Sequence, residues 1–249
     1  MTSNLKVRVA MIDSGFNPSH PHAQPIACGV HIKLEGDDDC FNDFLGHGTA
    51  VAGAIREKAP AAETYAIKIF DRELITSGQI LFRALDWCRD KRINFVNLSL
   101  GTQNPSYIPA FQERIARAQE LGSTIVAAYE MDGKRAFPGS LPGVASVLLD
   151  YTCPRNQYVE VERDGRTVYA AAGYPRDISR RSFQAQSPCD QLRSGECHGT
   201  SGGAGSGMPQ NVATTGGGIA ACCCTRLLQR KGLDVSFTPT QSSYAHFTD

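Results

Sequence analysis

The sequence lacks a long hydrophobic run: no apolar stretch approaches the roughly 18 residues that a membrane-spanning helix needs. The N-terminus, 1–4, is polar and leads into an apolar stretch that reads as a core strand, so neither a signal peptide nor a pro-region is predicted. Charge of one sign is also lacking, because 25 basic residues balance 25 acidic ones. This balance gives no electrostatic reason for a nucleic-acid partner. Together these absences predict a cytoplasmic protein without a membrane span, with secretion left open as the alternative; they also leave its oligomeric state open.

Metal-type cysteine pairs are absent too, since none of the nine cysteines belongs to a CxxC motif. Cys222, Cys223 and Cys224 are consecutive, and neighbouring side chains on a helix point about 100° apart, so the three cannot meet one zinc ion. Without a secretion signal, the cysteines are expected to be reduced thiols. One bridge, such as Cys189–Cys197, stays open as an alternative. No metal site is predicted.

What the chain does contain is a regular alternation of short apolar strands and helices. Hydrophobic residues make up 41% of the 249 residues and charged residues 20%, which allows a sizeable core. The alternation is typical of a parallel sheet covered by helices on both faces, here as one α/β domain over 1–249. The pattern predicts strands over 6–12, 64–70, 95–100, 124–128 and 144–149, helices over 46–58, 77–91 and 109–121, and a β-hairpin over 157–172.

Three residues are candidates for a functional site, which such a fold has beyond the carboxyl ends of its strands. Asp13 directly follows the first strand, although a residue there often only caps a turn. His47 lies between two glycines at the start of a helix, where the helix dipole favours the neutral ring that accepts a proton. A simple capping role is the alternative. Ser201 is flanked by glycine and threonine, which would expose its hydroxyl and backbone N–H, although a flexible glycine–serine loop has the same composition.

The three residues together are more specific than each alone. Acyl transfer by serine needs a base that takes the hydroxyl proton and a carboxylate that fixes the tautomer of that base. The chain order Asp13, His47, Ser201 is the order found in the subtilase family. We therefore predict these residues as a catalytic triad.

The chain resembles the subtilase family of serine proteases over about residues 7–230, with 231–249 left as a C-terminal tail. The resemblance implies a three-layer sandwich with a mainly parallel central sheet, and a cis bond between Phe137 and Pro138. It also implies a serine endopeptidase that binds its peptide or protein substrate as an extended strand. The motifs that carry the resemblance are 11–15 (MIDSG), 46–53 (GHGTAVAG), 65–71 (YAIKIFD), 96–101 (VNLSLG) and 137–147.

The resemblance also implies which residues bind the substrate. Ser99, Leu100 and Gly101 would pair with the peptide backbone, and Ala128 and Glu130 would form the wall of the pocket. If Glu130 points into the pocket, a basic residue before the scissile bond is favoured. A surface-exposed glutamate is the simpler interpretation.

Two departures from the family pattern bear on activity. Met131 takes the place of the family's oxyanion-hole asparagine, and a thioether cannot donate a hydrogen bond. The Ser201 backbone N–H remains as one donor, and Gln103 or Asn104 is the candidate for the second. The segment 202–207 is unusually rich in glycine, which fits an altered or inserted loop. The main hypothesis is a selective processing protease; the alternatives are a peptide-binding pseudoprotease and an acyl-transferring ligase or cyclase.

An acidic cluster precedes His47 in the chain. Subtilases often bind calcium, and carboxylates are suitable ligands for it. An acidic, solvated loop is the favoured interpretation, because the spacing is unlike that of an EF-hand, and no cofactor is expected. The cluster consists of Asp37, Asp38, Asp39, Cys40 and Asp43.

Overall fold

The computed structural model describes residues 6–20, 26–173 and 211–214, and its centre is an eight-stranded sheet. Among these residues, three helices pack on the sheet: α1 (His47–Lys58), α2 (Gly78–Asp90) and α3 (Ile108–Glu120), the last preceded by a 3₁₀ turn at Pro105–Tyr107. The strands in chain order are β1 Arg8–Asp13, β2 Cys28–His31, β3 Glu63–Lys68, β4 Ile75–Ser77, β5 Phe95–Leu98, β6 Leu100–Gly101, β7 Thr124–Ala128, β8 Glu130–Met131, β9 Lys134–Arg135, β10 Ala145–Leu149, β11 Tyr158–Arg163, β12 Arg166–Ala171 and β13 Asn211–Thr214.

The central sheet has the strand order β11-β12-β10-β7-β5-β1-β3-β2. Every neighbouring pair is parallel except the hairpin β11–β12. The hairpin turns through Asp164 and Gly165, whose φ angles of 51° and 70° suit a tight turn between antiparallel strands. In the part of the chain that the structure describes, no helix is long and apolar enough to cross a membrane.

Strand β1 shows why the sheet is buried on both sides. Ala10 and Ile12 point into the core beneath α2 and α3, whereas Val9 and Met11 point into the core beneath α1. Because side chains alternate along a strand, a central strand needs apolar residues at successive positions to bury both faces. The predicted three-layer α/β sandwich with a mainly parallel sheet is confirmed.

Most of the predicted elements are confirmed within two residues at each end. Ser77 caps α2, since its hydroxyl accepts a hydrogen bond from the Ile80 N–H at 3.3 Å. The peptide bond between Phe137 and Pro138 is cis, as expected. Strand β2 was not predicted from the sequence, because only Val30 in this edge strand is fully buried and no alternation marks it. Strand β13, which pairs with β4 and β6 in a separate three-stranded sheet, was not predicted either.

The cysteines correct one expectation. Cys28 and Cys40 are disulfide-bonded, so the prediction of reduced thiols is wrong for these two residues. Cys88 and Cys153 are buried free thiols. The pKa of the Cys88 thiol is raised well above its usual range by burial, which makes it inert as a nucleophile. The suggested Cys189–Cys197 bridge lies outside the described residues.

Candidate active site

The carboxyl ends of three neighbouring strands create the site. Ile12 on β1 is in register with Leu98 on β5, and Leu98 is in register with Ala127 on β7. The residues that follow, Asp13, Ser99 and Ala128, therefore lie side by side at this edge of the sheet. Ligand sites of open parallel sheets lie at such an edge.

Asp13 and His47 form a hydrogen-bonded pair at this edge. The Nδ1 atom of His47 lies 2.7 Å from Oδ1 of Asp13, a carboxylate that is only 1% exposed. The same oxygen accepts the backbone N–H of Ser14 at 2.7 Å. An ionised Asp13 can only accept, so the proton of a neutral His47 ring lies on Nδ1 and leaves Nε2 as the basic nitrogen. The pair has the geometry of a general base held by a carboxylate.

The first turn of α1, which carries His47, is fixed by Ser14 and Asp43. The Ser14 hydroxyl accepts the Gly48 N–H at 2.9 Å and lies 2.9 Å from Oδ1 of Asp43. The other Asp43 oxygen accepts the backbone N–H of Thr49 at 2.8 Å and its hydroxyl at 2.7 Å. Two of the helix N–H groups that have no partner within α1 are thereby satisfied. The structure thus gives Asp43 a capping role that the sequence analysis missed, although an aspartate shortly before a helix is a known capping signal.

Asp43 is expected to make the protein sensitive to acid. Burial alone would raise the pKa of this carboxyl, but hydrogen bonds from Thr49, Ser14 and the Gly46 N–H outweigh burial and lower the pKa. A lowered pKa in the folded state means that the ionised carboxylate stabilises the fold above the unfolded-state pKa of about 3.9. That stability is lost as the pH falls below this value towards the folded-state pKa.

Asp43→Asn is therefore expected to lower the free energy of unfolding by about 1–2 kcal/mol at neutral pH. It should also flatten the loss of stability below about pH 4. Urea unfolding at a series of pH values measures both effects. Asp39→Asn, at an exposed position in the same loop, is the matched control and should change neither. Equal acid sensitivity in the wild type and in Asp43→Asn would contradict the role given to Asp43.

The predicted substrate-binding residues occupy two short segments beside the dyad. Leu100 and Gly101 form β6, and the buried hydroxyl of Ser99 accepts a hydrogen bond from the Asn97 amide at 3.3 Å. Ala128 is buried at the end of β7, and Glu130 is exposed on β8. Glu130 is paired across the β8–β9 ladder with Arg135. This exposure and the cationic neighbour favour the surface interpretation of Glu130.

The two candidate oxyanion donors, Gln103 and Asn104, make different hydrogen bonds in the structure. The Nε2 atom of Gln103 donates to the Met131 carbonyl at 2.9 Å, so the structure brings Gln103 directly beside Met131. The Met131 side chain is buried, and its sulfur would lie 3.3 Å from a Cβ added at Gly101. The Asn104 side chain instead accepts the Ser106 N–H at 3.0 Å and caps the 3₁₀ turn. Gln103 is therefore the better placed of the two amides.

The acidic cluster is divided among separate partners. Asp37 forms an ion pair with Arg83 at 2.8 Å, and Asp38 pairs with Lys33. Asp43 faces the start of α1. Among the described residues, no group of three or more His, Cys, Asp or Glu side chains is arranged to hold a metal ion. Ser201 and the glycine-rich segment 202–207 lie outside the described residues.

A buried carboxylate that orients a histidine, at the edge of a mainly parallel three-layer sheet, defines an acid–base site of the type that activates a nucleophile. The sequence profile of the Subtilase family matches residues 5–148, which is more than half of the chain. The protein therefore belongs to the subtilase family. A solved structure of a cold-adapted subtilisin-like serine proteinase superposes with a TM-score of 0.52 at 20% identity, covering 68% of this chain and 64% of that one, and supports the same fold.

Two curated relatives show the range of the family. The minor extracellular protease Epr of Bacillus subtilis (strain 168) is 32% identical over 177 residues, which are 67% of this chain and 26% of Epr. The major intracellular serine protease of the same organism is 28% identical over 141 residues, which are 51% of this chain and 43% of that protein. The chain thus spans less than half the length of either relative.

Proposed function

We propose that this subtilase is a serine endopeptidase with Asp13, His47 and Ser201 as its catalytic triad. The observation that carries the proposal is the 2.7 Å hydrogen bond between the buried Asp13 and His47 Nδ1. Chain order supports Ser201 as the third member, since the family's nucleophile follows its histidine. No cofactor is needed for this chemistry.

In the proposed reaction, the Ser201 hydroxyl attacks the scissile carbonyl while His47 Nε2 takes its proton. The tetrahedral intermediate collapses to an acyl-enzyme, and His47 gives the proton to the leaving amine. Water, activated by the same imidazole, then releases the acyl group and restores Ser201. Asp13 stays ionised throughout and stabilises the imidazolium that forms in each half-reaction.

The substrate is proposed to bind as an extended strand. The β6 residues Leu100 and Gly101, together with Ser99, offer backbone groups beside the dyad, and such groups bind peptides by adding a strand to the edge of a sheet. The buried Ala128 is proposed to line the adjacent pocket, whereas Glu130 is exposed and is assigned to the surface. Recognition mainly through backbone groups suits peptides and unfolded segments of proteins. We further propose that the protein is a selective processing protease, which cleaves few peptide or protein substrates.

Gln103 is proposed as the second oxyanion donor. An amide nitrogen carries two N–H groups, and only one of those on Gln103 is needed for the bond to the Met131 carbonyl. The other can serve a developing oxyanion beside Met131, whose own side chain cannot donate. The backbone N–H of Ser201 would be the other donor to the oxyanion.

The buried Met131 favours one alternative, a peptide-binding pseudoprotease that keeps the cleft without the chemistry. Transfer of the acyl group to an amine rather than to water is the other alternative, because it uses the same acyl-enzyme. Product masses from a peptide library separate hydrolysis from transfer.

The decisive experiment is labelling with an alkyl fluorophosphonate, which reacts with activated serines. The wild-type protein is expected to incorporate one label, mapped to Ser201 by peptide mass spectrometry, and Ser201→Ala is expected to incorporate none. Ser99→Ala, at the neighbouring serine on the substrate side, is the matched control and should still be labelled. No labelling of the wild type would overturn the proposal in favour of a pseudoprotease. The labelling rate of Gln103→Leu in the same assay tests the oxyanion assignment.

The compartment is a separate question. The relatives include both an extracellular and an intracellular protease. The disulfide-bonded Cys28 and Cys40 support an oxidising compartment, against the expectation of a cytoplasm.

A further inference from the structure

Strand β13 lies in a slot that is one strand wide. In the second sheet, β13 (Asn211–Thr214) is the central strand between β4 and β6, and it is antiparallel to both. Adjacent strands are about 4.8 Å apart, so β4 and β6 face each other across about 10 Å, the width of one extended chain. Without β13, both edges would present unpaired N–H and C=O groups to this slot.

One wall of the slot starts close in sequence to the dyad. Asp13 and Ser99 each follow a residue of the in-register pair Ile12 and Leu98, and β6 starts at Leu100. On the β6 side, Thr214 is in register with Leu100, and Ala213 with Gly101. Leu100 and Gly101 are two of the three residues proposed above to pair with a peptide substrate. The chain's own strand therefore occupies the edge that a substrate would need.

The walls of the slot are firmly held. The β4 wall leads directly into the Ser77 cap of α2, and a Cβ added at Gly78 would lie 2.5 Å from the Tyr107 ring, which shows how closely α2 packs there. The β6 wall continues into Thr102, whose N–H and C=O both pair with the backbone of Phe137 at 3.0 and 2.7 Å. Because these contacts hold β4 and β6 in place, the slot keeps the width of one extended strand.

We infer that Asn211–Thr214 is an intramolecular occupant of the peptide-binding slot that competes with substrate. The inference rests on the proposed function, since it assigns the regulation of that same site. Because β13 belongs to the same chain as the slot, it competes intramolecularly, and a substrate that uses the same backbone edge binds with reduced affinity. Peptide cleavage requires β13 to leave the slot.

One test removes the donors of the strand. Proline lacks a backbone N–H, and successive residues of a central strand bond to opposite neighbours, so Val212→Pro/Ala213→Pro breaks both ladders. The apparent KM for fluorescein-labelled casein is expected to fall about ten-fold or more. The control Val212→Thr/Ala213→Ser keeps both N–H groups and should retain the wild-type KM. A KM in the proline variant that is unchanged or raised would overturn the inference.

A second test uses the unaltered protein and hydrogen–deuterium exchange. A tetrapeptidyl diphenyl phosphonate, which attaches to the serine and lays a peptide in the slot, is expected to remove the protection of the 211–214 amides. An alkyl fluorophosphonate, which attaches without a peptide, should leave their protection in place. Persistent protection under a complete tetrapeptide adduct overturns the inference alone. Failure of both reagents to react with Ser201 overturns the proposed function and the inference with it.

Discussion

Replacement of His47 by alanine is expected to lower kcat by about 10⁶-fold, the size found for removal of the histidine in subtilisin, a member of the same family. The reason is that the imidazole is the only group in the proposed mechanism that removes the proton from Ser201. Because the change leaves the β6 edge intact, KM should stay within a few-fold. Initial rates on labelled casein, together with the rate of fluorophosphonate labelling, measure the effect.

Asp13→Asn should lower kcat by about 10⁴-fold, again the size known for this type of change. An asparagine amide can donate to His47 Nδ1, which moves the ring proton to Nε2 and removes the basic nitrogen. The matched control is His31→Gln, on the edge strand β2, which should change kcat by no more than a few-fold.

For His47, the contradicting outcome is an alanine variant that keeps a tenth of the wild-type rate. Such a variant would show that His47 is not the general base.

Asp13 and His47 could be predicted because both depend on local sequence. A buried strand that ends in Asp13 and a helix that starts at His47 each follow from patterns of fewer than about 15 residues. Parallel strands have their carboxyl ends at one edge of the sheet, and this topology brings Asp13 and His47 together.

The hydrogen bonds of Ser14 and Asp43 that fix the first turn of α1, which carries His47, could not be predicted in the same way. Ser14 meets Asp43 through hydrogen bonds between loops, whose shapes depend on tertiary contacts rather than on a periodic pattern. The pairing of β13 with β6 joins residues more than 100 positions apart, and four residues without alternation give no strand signal. The disulfide state of Cys28 and Cys40 also depends on contacts that cysteine counts do not reveal.

The packing of α1 against β1 leads to a further expected effect, on both stability and activity. A Cβ added at Gly48 would lie 2.2 Å from the carbonyl oxygen of Gly15, far inside contact distance, and neither partner is a flexible side-chain tip. Relief requires the first turn of α1 to move away from the end of β1. That movement displaces His47, the preceding residue, from Asp13.

Gly48→Ala is therefore expected to lower the free energy of unfolding by about 2–3 kcal/mol. It should also reduce kcat at least about 10²-fold, because a misplacement of about 1 Å in a catalytic group costs that much. Gly53→Ala, in the same helix, is the matched control, since apart from its chain neighbours and the nearby backbone of α1 no atom of the described residues lies within 4 Å of its added Cβ. There the lower backbone entropy of alanine in the unfolded chain should stabilise the protein by about 0.5–1 kcal/mol. Urea unfolding and casein hydrolysis compare the two variants, and similar behaviour of both would show that the contact between Gly48 and Gly15 does not position His47.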